Sequence, residues 1–242
     1  MDNTKSNLAV LIDGDNAQPK LIQQILEEVS KYGKATIRRI YGDWTTNNMN
    51  GWKEMINEYS FSPVQKFSYT TGKNSTDSSL IIDAMDILHG NKIDGFCIVS
   101  SDSDYTGLAK RIREEGMFVM GIGEKKTPKA FVQSCEIFTY SENISKEIKP
   151  PKPEEKKRLP DTPKLEETID KAFDITIGED EEVHISKVGL NLRKIDPSFD
   201  TRSFGFKTLT QVFESIPKYE VLRNEVKGLN QPLVRLRLVN GK

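Results

Sequence analysis

Between Leu8 and Tyr140, short apolar runs alternate with segments of helical periodicity. The apolar runs predict strands at 8–12, 35–41, 64–67, 96–99, 118–122 and 137–140. The periodic segments predict helices at 19–31, 52–59, 76–88, 104–115 and 128–134. Alternation at this spacing is typical of an α/β three-layer sandwich with a parallel sheet. Because crossovers in such sheets are right-handed, the carboxyl ends of all strands are expected along one edge.

The pattern changes after Ile144, where a run from Lys149 to Pro160 is rich in proline and charge. Such a segment cannot bury a core, so it is predicted to be an extended linker. We therefore expect a first domain at 1–145, a linker at 146–162 and a second domain at 163–242. In the second domain, helices are predicted at 163–173, 186–195 and around 207–215, and strands near 183–185, 219–223 and 233–238. Three helices closed by a β-hairpin predict a small winged-helix domain of the α+β class.

Composition excludes several classes of protein. The chain has 242 residues, 29% of them charged, and a net charge of −1, so overall charge does not identify a partner. Its 2 cysteines and 2 histidines are widely spaced, which argues against a zinc site and a disulfide scaffold. No apolar segment approaches the length of a membrane span, and the amino terminus has no apolar signal core. We expect a cytoplasmic protein without membrane contact.

Aspartates follow the first and fourth predicted strands. Asp13 and Asp15 come directly after the first strand, and Asp102 and Asp104 follow the fourth. In common doubly wound sheets these strands are neighbours at the point where strand order reverses, and ligands bind at that edge. Asp77, near the start of the third helix, is predicted to reach the same edge. Either Asp77 or Asp104 could instead be a simple helix cap.

Carboxylates brought this close repel one another unless they are protonated or bind cations. Clusters of oxygen ligands suit Mg²⁺ or Mn²⁺. Such an ion can activate water and stabilise charge on a phosphate that is being cleaved, without a histidine base. The acidic cluster is therefore predicted to be a metal site.

Three segments of the first domain resemble the motifs of NYN domains. They are Leu11–Asn16 (LIDGDN), Lys73 with Asp77 and Asp83, and Ile98–Tyr105 (IVSSDSDY). The family is similar to PIN ribonucleases, here of the bacterial LabA-like type, and the resemblance covers roughly Leu8 to Tyr140. It implies a PIN-like Rossmannoid fold and metal-dependent cleavage of single-stranded RNA. The implied metal ligands are Asp13, Asp77, Asp102 and Asp104; the implied supporting groups are Asn16 and Ser101; Asp15 and Asp83 match less well.

The second domain resembles the OST-HTH domain, also called LOTUS. The resemblance lies in Ile185–Gly189 (ISKVG) and in Pro197–Leu209 (PSFDTRSFGFKTL). It implies a winged-helix module that binds RNA or a protein partner.

Basic residues supply candidate RNA contacts in both domains. Basic residues outnumber acidic ones from Val183 onward, and such a surplus favours contact with phosphates. Lys73 precedes Asp77, and Lys125 and Lys126 follow the fifth strand at the edge of the acidic cluster. The predicted RNA-binding residues are Lys73, Arg39, Lys125, Lys126, Arg202 and Lys207. Arg202 could instead bridge Asp200 or cap a helix, and Trp44 and Tyr105 could stack on unpaired bases.

Two other functions fit parts of the sequence. Asp13-Gly14-Asp15 also resembles the D-x-D motif of haloacid-dehalogenase-type phosphatases, with Asp102 and Asp104 as later metal-binding acids. Against this alternative stand Ala17, where those enzymes usually have Thr or Val, and the lack of a segment that could form their mobile cap. The other alternative is an adaptor that binds RNA without cutting it. A metal-dependent ribonuclease, cleaving single-stranded RNA internally, is the main hypothesis.

Overall fold

A computed structural model describes residues 6–65, 75–90, 92–145, 162–223, 225–226, 229–230 and 232–237. Within these ranges it describes all side chains except those at 75–77, 162–164, 225–226 and 229–230. The chain divides into two compact units, Met1–Lys146 and Glu147–Lys242. Most of the predicted linker lies outside the described residues, and the same is true of Lys73.

The first unit is built on a parallel sheet of six strands. The strands are β1 (Asn7–Asp13), β2 (Lys34–Gly42), β3 (Ser62–Gln65), β4 (Gly95–Val99), β5 (Phe118–Gly123) and β6 (Ile137–Tyr140). Their order is β3-β2-β1-β4-β5-β6, and every pairing is parallel. This confirms the predicted sheet and places β1 beside β4, as expected at a reversal of strand order.

Helices cover both faces of this sheet. They are α1 (Ile22–Ser30), α2 (Asn50–Glu58), α3 (Ser75–His89), α4 (Thr106–Glu114), α5 (Lys129–Ser134) and the short α6 (Ser141–Ile144). The core on one face contains side chains of α3, α4 and α5, and the core on the other contains those of α1 and α2. The predicted α/β three-layer sandwich is confirmed.

The central strand β1 is buried on both faces, and this explains its continuous apolar sequence. Ala9 and Leu11 pack in one core, whereas Leu8, Val10 and Ile12 pack in the other. A strand covered on both faces needs apolar residues at every position rather than at alternate ones. Asp13, the last residue of β1, is equally buried.

The second unit contains three α-helices and short antiparallel strands among the residues that the structure describes. The helices are α7 (Thr162–Ile177), α8 (Ile185–Ile195) and α9 (Leu209–Ser215). The strands are β7 (Val183–His184), β8 (Tyr219–Leu222), β9 (Glu225–Val226), β10 (Leu229–Asn230) and β11 (Leu233–Leu236). β11 lies between β7 and β8, and β9 pairs with β10. This matches the predicted winged-helix pattern, although α7 extends further than the predicted 163–173.

A 3-10 helix between α8 and α9 was not predicted. It spans Thr201–Phe204, begins where the Asp200 side chain accepts from the Arg202 amide, and ends at Gly205. Gly205 has a φ of 79°, a left-handed conformation that favours glycine. The FDTRSFG segment therefore forms a capped turn that leads into α9.

The structure describes both cysteines and the helices, the features on which the disulfide scaffold and the membrane span were judged. Cys97 and Cys135 are both buried and unpaired, and burial raises the pKa of each thiol. In the described part of the chain, no helix combines the length and the apolar character that a bilayer crossing requires.

Candidate functional site

The candidate site lies where the chain leaves β1 and β4 in opposite directions. β1 ends at Asp13 and β4 ends at Val99, and the strands are hydrogen-bonded neighbours. A crevice at the carboxyl ends of two such strands is the usual ligand site of open α/β sheets. The loops Gly14–Asn16 and Ser100–Asp104 border it.

Asp13 is the centre of the site. Its side chain is 0% exposed, and its Oδ2 accepts hydrogen bonds from Asn16 Nδ2 (2.7 Å), Ser100 Oγ (3.0 Å) and Tyr105 OH (3.3 Å). Its Oδ1 accepts from the backbone amide of Asp15 at 3.2 Å. Three side-chain donors thus gather on one carboxylate oxygen, and the other oxygen accepts from a backbone amide.

The pKa of Asp13 is raised above its ordinary value. Burial is the largest cause, because it removes water from the charged form, and the negative charge of Asp15 adds to the increase. Hydrogen bonds from Asn16 and Ser100 act in the opposite direction, since they stabilise the charged form. A cation beside the carboxylate would favour ionisation for the same electrostatic reason.

Ser100 joins the two acidic loops. Its hydroxyl donates to Asp13 and accepts from the backbone amide of Asp102 at 3.1 Å. Asp102 in turn caps the 3-10 helix Ser103–Tyr105, because its Oδ1 accepts from the Asp104 amide at 3.0 Å. Asp102 is partly exposed and Asp104 exposed, so both can reach a ligand from solvent.

The loop after β1 is fixed by contact with β2 and α2. The Gly14 amide donates to the Tyr41 carbonyl at 2.8 Å, and Trp52 Nε1 donates to the Gly14 carbonyl at 3.0 Å. A Cβ at position 14 would lie 2.8 Å from the Tyr41 carbonyl oxygen, closer than packing allows. Glycine is therefore required where the loop crosses β2, and the buried Trp52 holds it there.

The donor set is of the type that Mg²⁺ or Mn²⁺ prefers, since it consists of carboxylate oxygens. No three acidic, histidine or cysteine side chains come close enough to hold a metal among the residues that the structure describes. Asp77 belongs to α3, but its side chain lies outside the described residues. Mg²⁺ commonly needs only one or two protein carboxylates and keeps several waters, so a pair of carboxylates would be enough to hold it.

A family model for the NYN domain matches residues 7–142, which is more than half of the chain. The chain belongs to the NYN domain family. A second model, for the OST-HTH/LOTUS domain, matches residues 163–230. Both resemblances seen in the sequence are thereby confirmed.

Two solved structures are distantly similar to the chain. A protein of unknown function from Vibrio parahaemolyticus RIMD 2210633 is 17% identical, with a TM-score of 0.49 over 58% of this chain and 95% of that one. The catalytic domain 2 of Ostrinia furnacalis Group II chitinase is 9% identical, with a TM-score of 0.24 over 96% and 83% of the two chains. Neither is close enough to bear on function. No protein of curated function matches the chain.

The two families define the general role of the protein. NYN domains are generally PIN-like nucleases, and OST-HTH domains bind RNA. The chain therefore joins a domain of a nuclease family to an RNA-binding module.

Asp15 and Asp83, the two acids that match the NYN motifs less well, have other contacts than those expected of metal ligands. Asp15 is exposed and contributes its backbone amide to Asp13. Asp83, on α3, forms an ion pair with Arg39 and accepts a hydrogen bond from Tyr41, both on β2. Burial and this hydrogen bond raise the pKa of Tyr41. Asp83 thus connects α3 to the sheet through its ion pair with Arg39. Arg39, a predicted RNA contact, is therefore engaged within the domain.

The remaining predicted RNA contacts differ in their surroundings. Lys125 and Lys207 are exposed, and each donates its backbone amide to a side chain, of Glu142 and Gln211 respectively. Lys126 pairs with Glu124 at 2.7 Å. Arg202 pairs with Asp200, with Nη2 to Oδ2 at 2.6 Å, which is the structural alternative considered for it.

The aromatic predictions need one correction. Tyr105 is 0% exposed and donates to Asp13, so it cannot stack on an RNA base, and the expectation that it does is wrong. Trp44 is partly buried, and its Nε1 donates to the Val64 carbonyl at 3.1 Å. Trp44 therefore belongs at least in part to the packing of β2 against β3.

Sequence reasoning missed two contributors to this edge. Ser100, rather than Ser101, contacts Asp13, whereas Ser101 Oγ accepts from the backbone amide of Glu124 at 2.9 Å. Glu124 is itself an acidic residue directly after β5, so the rule that identified Asp13 and Asp102 would also have identified it.

Proposed function

We propose that the chain is a divalent-metal-dependent endoribonuclease that cleaves single-stranded RNA, with its OST-HTH domain binding the target. The observation that carries the proposal is the hydrogen-bonded chain from the Asp102 amide through Ser100 to Asp13. It joins acidic loops of two neighbouring strands at the edge where open α/β sheets bind ligands.

Each group at this edge has a proposed role. The proposed ligands of Mg²⁺ or Mn²⁺ are Asp13, Asp77, Asp102 and Asp104. Such an ion, when bound, supplies positive charge against a phosphate oxygen and makes water more acidic. Asn16, Ser100 and Tyr105 hold the Asp13 carboxylate in one orientation by donating to its Oδ2. Hydrogen bonds of this kind commonly set the orientation of a metal-binding carboxylate.

The proposed RNA path runs along the same edge. Lys125 is exposed just beyond β5, where its ammonium group can contact a phosphate, and Lys73, which precedes Asp77 in the sequence, is proposed for the same task. Exposed Lys207 is the proposed phosphate contact of the OST-HTH domain. Because the site lies on an open edge rather than in a closed pocket, it can accept the middle of a strand, which favours endonucleolytic cleavage.

The proposal is tested with purified full-length protein and labelled single-stranded RNA, in Mg²⁺, in Mn²⁺ and in EDTA. We expect cleavage that leaves 5′-phosphates, is absent in EDTA, and is lost in Asp13→Asn and in Asp102→Asn. A circular RNA should also be cut, since an exonuclease needs an end. Asp86→Asn, an exposed position on α3, is the matched control and should cleave like the parent protein.

Equal cleavage by the parent and both site variants, or cleavage in EDTA, would refute the proposal. RNA binding without cleavage in either metal would favour the non-catalytic adaptor instead. Robust Asp13-dependent release of phosphate from a small phosphomonoester would favour the phosphatase alternative.

A further inference from the structure

α4 and α5 pack against each other beside the candidate site. The ring of Tyr105, directly before α4, has its centroid 6.3 Å from that of Phe131, near the start of α5. Further along α4, Arg113 Nη1 donates to the carbonyls of Gln133 and Ser134, at the end of α5, at 3.1 and 3.2 Å. The two helices therefore run side by side, in the same direction, away from the edge that carries the acidic loops.

A basic strip, made of Lys110, Arg113 and Lys129, lies on this pair of helices. Lys110 precedes Arg113 by three residues, so both lie on the face of α4 that is turned toward α5. Lys129 is the first residue of α5, and all three residues are exposed. Among the described residues, no carboxylate pairs with the ammonium group of Lys110 or Lys129, whereas Arg111 pairs with two glutamates of its own helix and its end. Clustered positive charge of this kind attracts an anionic ligand.

Gly107 lies one turn before Lys110 on the same face of α4, and it is exposed. Its backbone is helical, and a Cβ at this position would meet no atom within 4 Å outside its own part of the helix. Glycine destabilises a helix relative to alanine, because it loses more conformational freedom on folding. What glycine offers here is a bare backbone that a ligand can approach closely. Since Gly107 follows Asp104, a proposed metal ligand, by three residues, this bare surface begins beside the candidate site.

Toward β2, the side of the site away from α4 and α5, the loops carry acidic side chains. Asp15 is exposed in the loop after β1. Asp43 follows β2, and its carboxylate accepts hydrogen bonds from the side chains of Thr45 and Gln65. Negative side chains repel a phosphate backbone, so a strand bound at Asp13 is drawn toward the basic strip instead.

We propose that single-stranded RNA leaves the cleavage site across Gly107, with its phosphates on Lys110 and Lys129. The sugar-phosphate backbone lies over the glycine, where no side chain holds it away, and the two ammonium groups donate to its phosphates. Lys110 follows Asp104 by six residues, about 9 Å along a helix axis, so the contacted phosphates belong to nucleotides close to the cleaved bond. The inference rests on the proposed function for its substrate, and it adds the side of the domain along which the strand runs.

The first test measures binding of labelled single-stranded RNA to full-length protein in EDTA, by fluorescence anisotropy at several salt concentrations. Lys110→Gln and Lys129→Gln should each make the plot of log binding constant against log salt concentration less steep by about one unit, the effect of one lost phosphate contact. Two controls should leave this slope unchanged. Arg111→Gln removes a charge that is already paired, and Lys53→Gln removes an exposed lysine from α2, on the other face of the sheet.

The second test replaces Gly107 and separates a ligand contact from a structural role. Gly107→Ala should raise the midpoint of thermal unfolding by about 2–4 °C, because alanine favours the helix and its Cβ has open space. Gly107→Gln, with a longer neutral side chain, should weaken RNA binding about tenfold or more, as much as the loss of one hydrogen bond to a charged group. Gly107→Ala should bind RNA with an affinity between those of the parent and Gly107→Gln. A variant that is more stable and yet binds RNA less tightly has not lost affinity through damage to the fold.

The two tests do not depend on cleavage, so this inference and the proposed function can fail separately. Salt slopes that stay unchanged in both lysine variants overturn the inference, and so does parent-like RNA binding by Gly107→Gln, even if the parent protein cuts RNA. If no RNA is cut in any metal, the proposed nuclease activity fails. Loss of affinity in the lysine and glycine variants would then still support the path of the RNA over α4 and α5.

Discussion

Replacing Ser100 by alanine tests how the two acidic loops are held together. Ser100 is 2% exposed, and its hydroxyl both donates to Asp13 at 3.0 Å and accepts from the Asp102 amide at 3.1 Å. Ser100→Ala removes both bonds without adding volume. Asp13 keeps Asn16, Tyr105 and the Asp15 amide as donors, but the hydrogen-bonded connection from Asp13 through Ser100 to the Asp102 amide is lost.

The loss in stability follows from these two bonds. A buried hydrogen bond to a charged group contributes about 1.5–3 kcal/mol, and the Asp102 amide, on a partly exposed residue, can be solvated at smaller cost. We therefore expect unfolding free energy to fall by about 2 kcal/mol, and the midpoint for the NYN domain by about 6–8 °C. Cleavage should fall about 10- to 100-fold, as is common when a hydrogen-bond partner of a metal ligand is removed.

The assay combines thermal unfolding with RNA cleavage and uses Ser134→Ala as its control. Ser134 is also 2% exposed, and its hydroxyl donates to the Phe131 carbonyl at 2.7 Å, away from the site. The control should lose about 1 kcal/mol, the contribution of a neutral hydrogen bond, and should cleave RNA normally. If Ser100→Ala cleaves like the parent protein and is no less stable than Ser134→Ala, the proposed link between the loops is wrong.

Three further variants test other parts of the structure. The fold raises the pKa of Tyr41, so above pH of about 10, the pKa of tyrosine in the unfolded chain, the unfolded state loses this proton first and the free energy of unfolding falls as the pH rises. Tyr41→Phe has no phenol to ionise and also loses the bond to Asp83. In this variant the fall in free energy of unfolding above pH of about 10, measured with urea, should be less steep by up to about 1.4 kcal/mol per pH unit. An unchanged slope between pH 10 and 11 would contradict this. Trp52→Phe removes the donor to the Gly14 carbonyl, so we expect a loss of about 1–3 kcal/mol and slower cleavage; normal cleavage would show that the loop does not need this anchor. Lys207→Ala should weaken RNA binding and make the plot of log binding constant against log salt concentration less steep by about one unit, the effect of one lost phosphate contact. An unchanged slope of this plot would exclude a phosphate contact by Lys207.

Strand positions were predictable because the buried parallel strands carry an unambiguous pattern. β1 packs into cores on both faces, which explains why its five apolar residues Leu8–Ile12 form the continuous run that is typical of a central parallel strand. Once β1 and β4 are placed in a doubly wound sheet, the position of Asp13 beside the loop after β4 follows from topology alone. For this reason, the general location of the site required no knowledge of side-chain packing.

Side-chain direction at this edge was not predictable in the same way. Successive residues after a strand point to different sides, so Ser100 contacts Asp13 and Ser101 contacts the Glu124 amide, although the end of β4 at Val99 is the predicted one. The sequence places Tyr105 just after the fourth strand, at the start of the predicted helix 104–115, and the 3-10 helix capped by Asp102 turns its ring into the core. Both differences arise from a short turn whose geometry depends on contacts with other strands.

These consecutive serines also hold two separate parts of this edge in place. Ser100 fixes Asp13, the proposed metal ligand, and Ser101 fixes the turn of Glu124 after β5. The Ser100 amide further donates to the Ile122 carbonyl at 3.0 Å, just before that turn. A shift of the loop after β4 would therefore move the Asp13 carboxylate and the turn after β5 together. Ser100→Ala should accordingly perturb both, whereas a change of the Glu124 side chain should leave Asp13 in place.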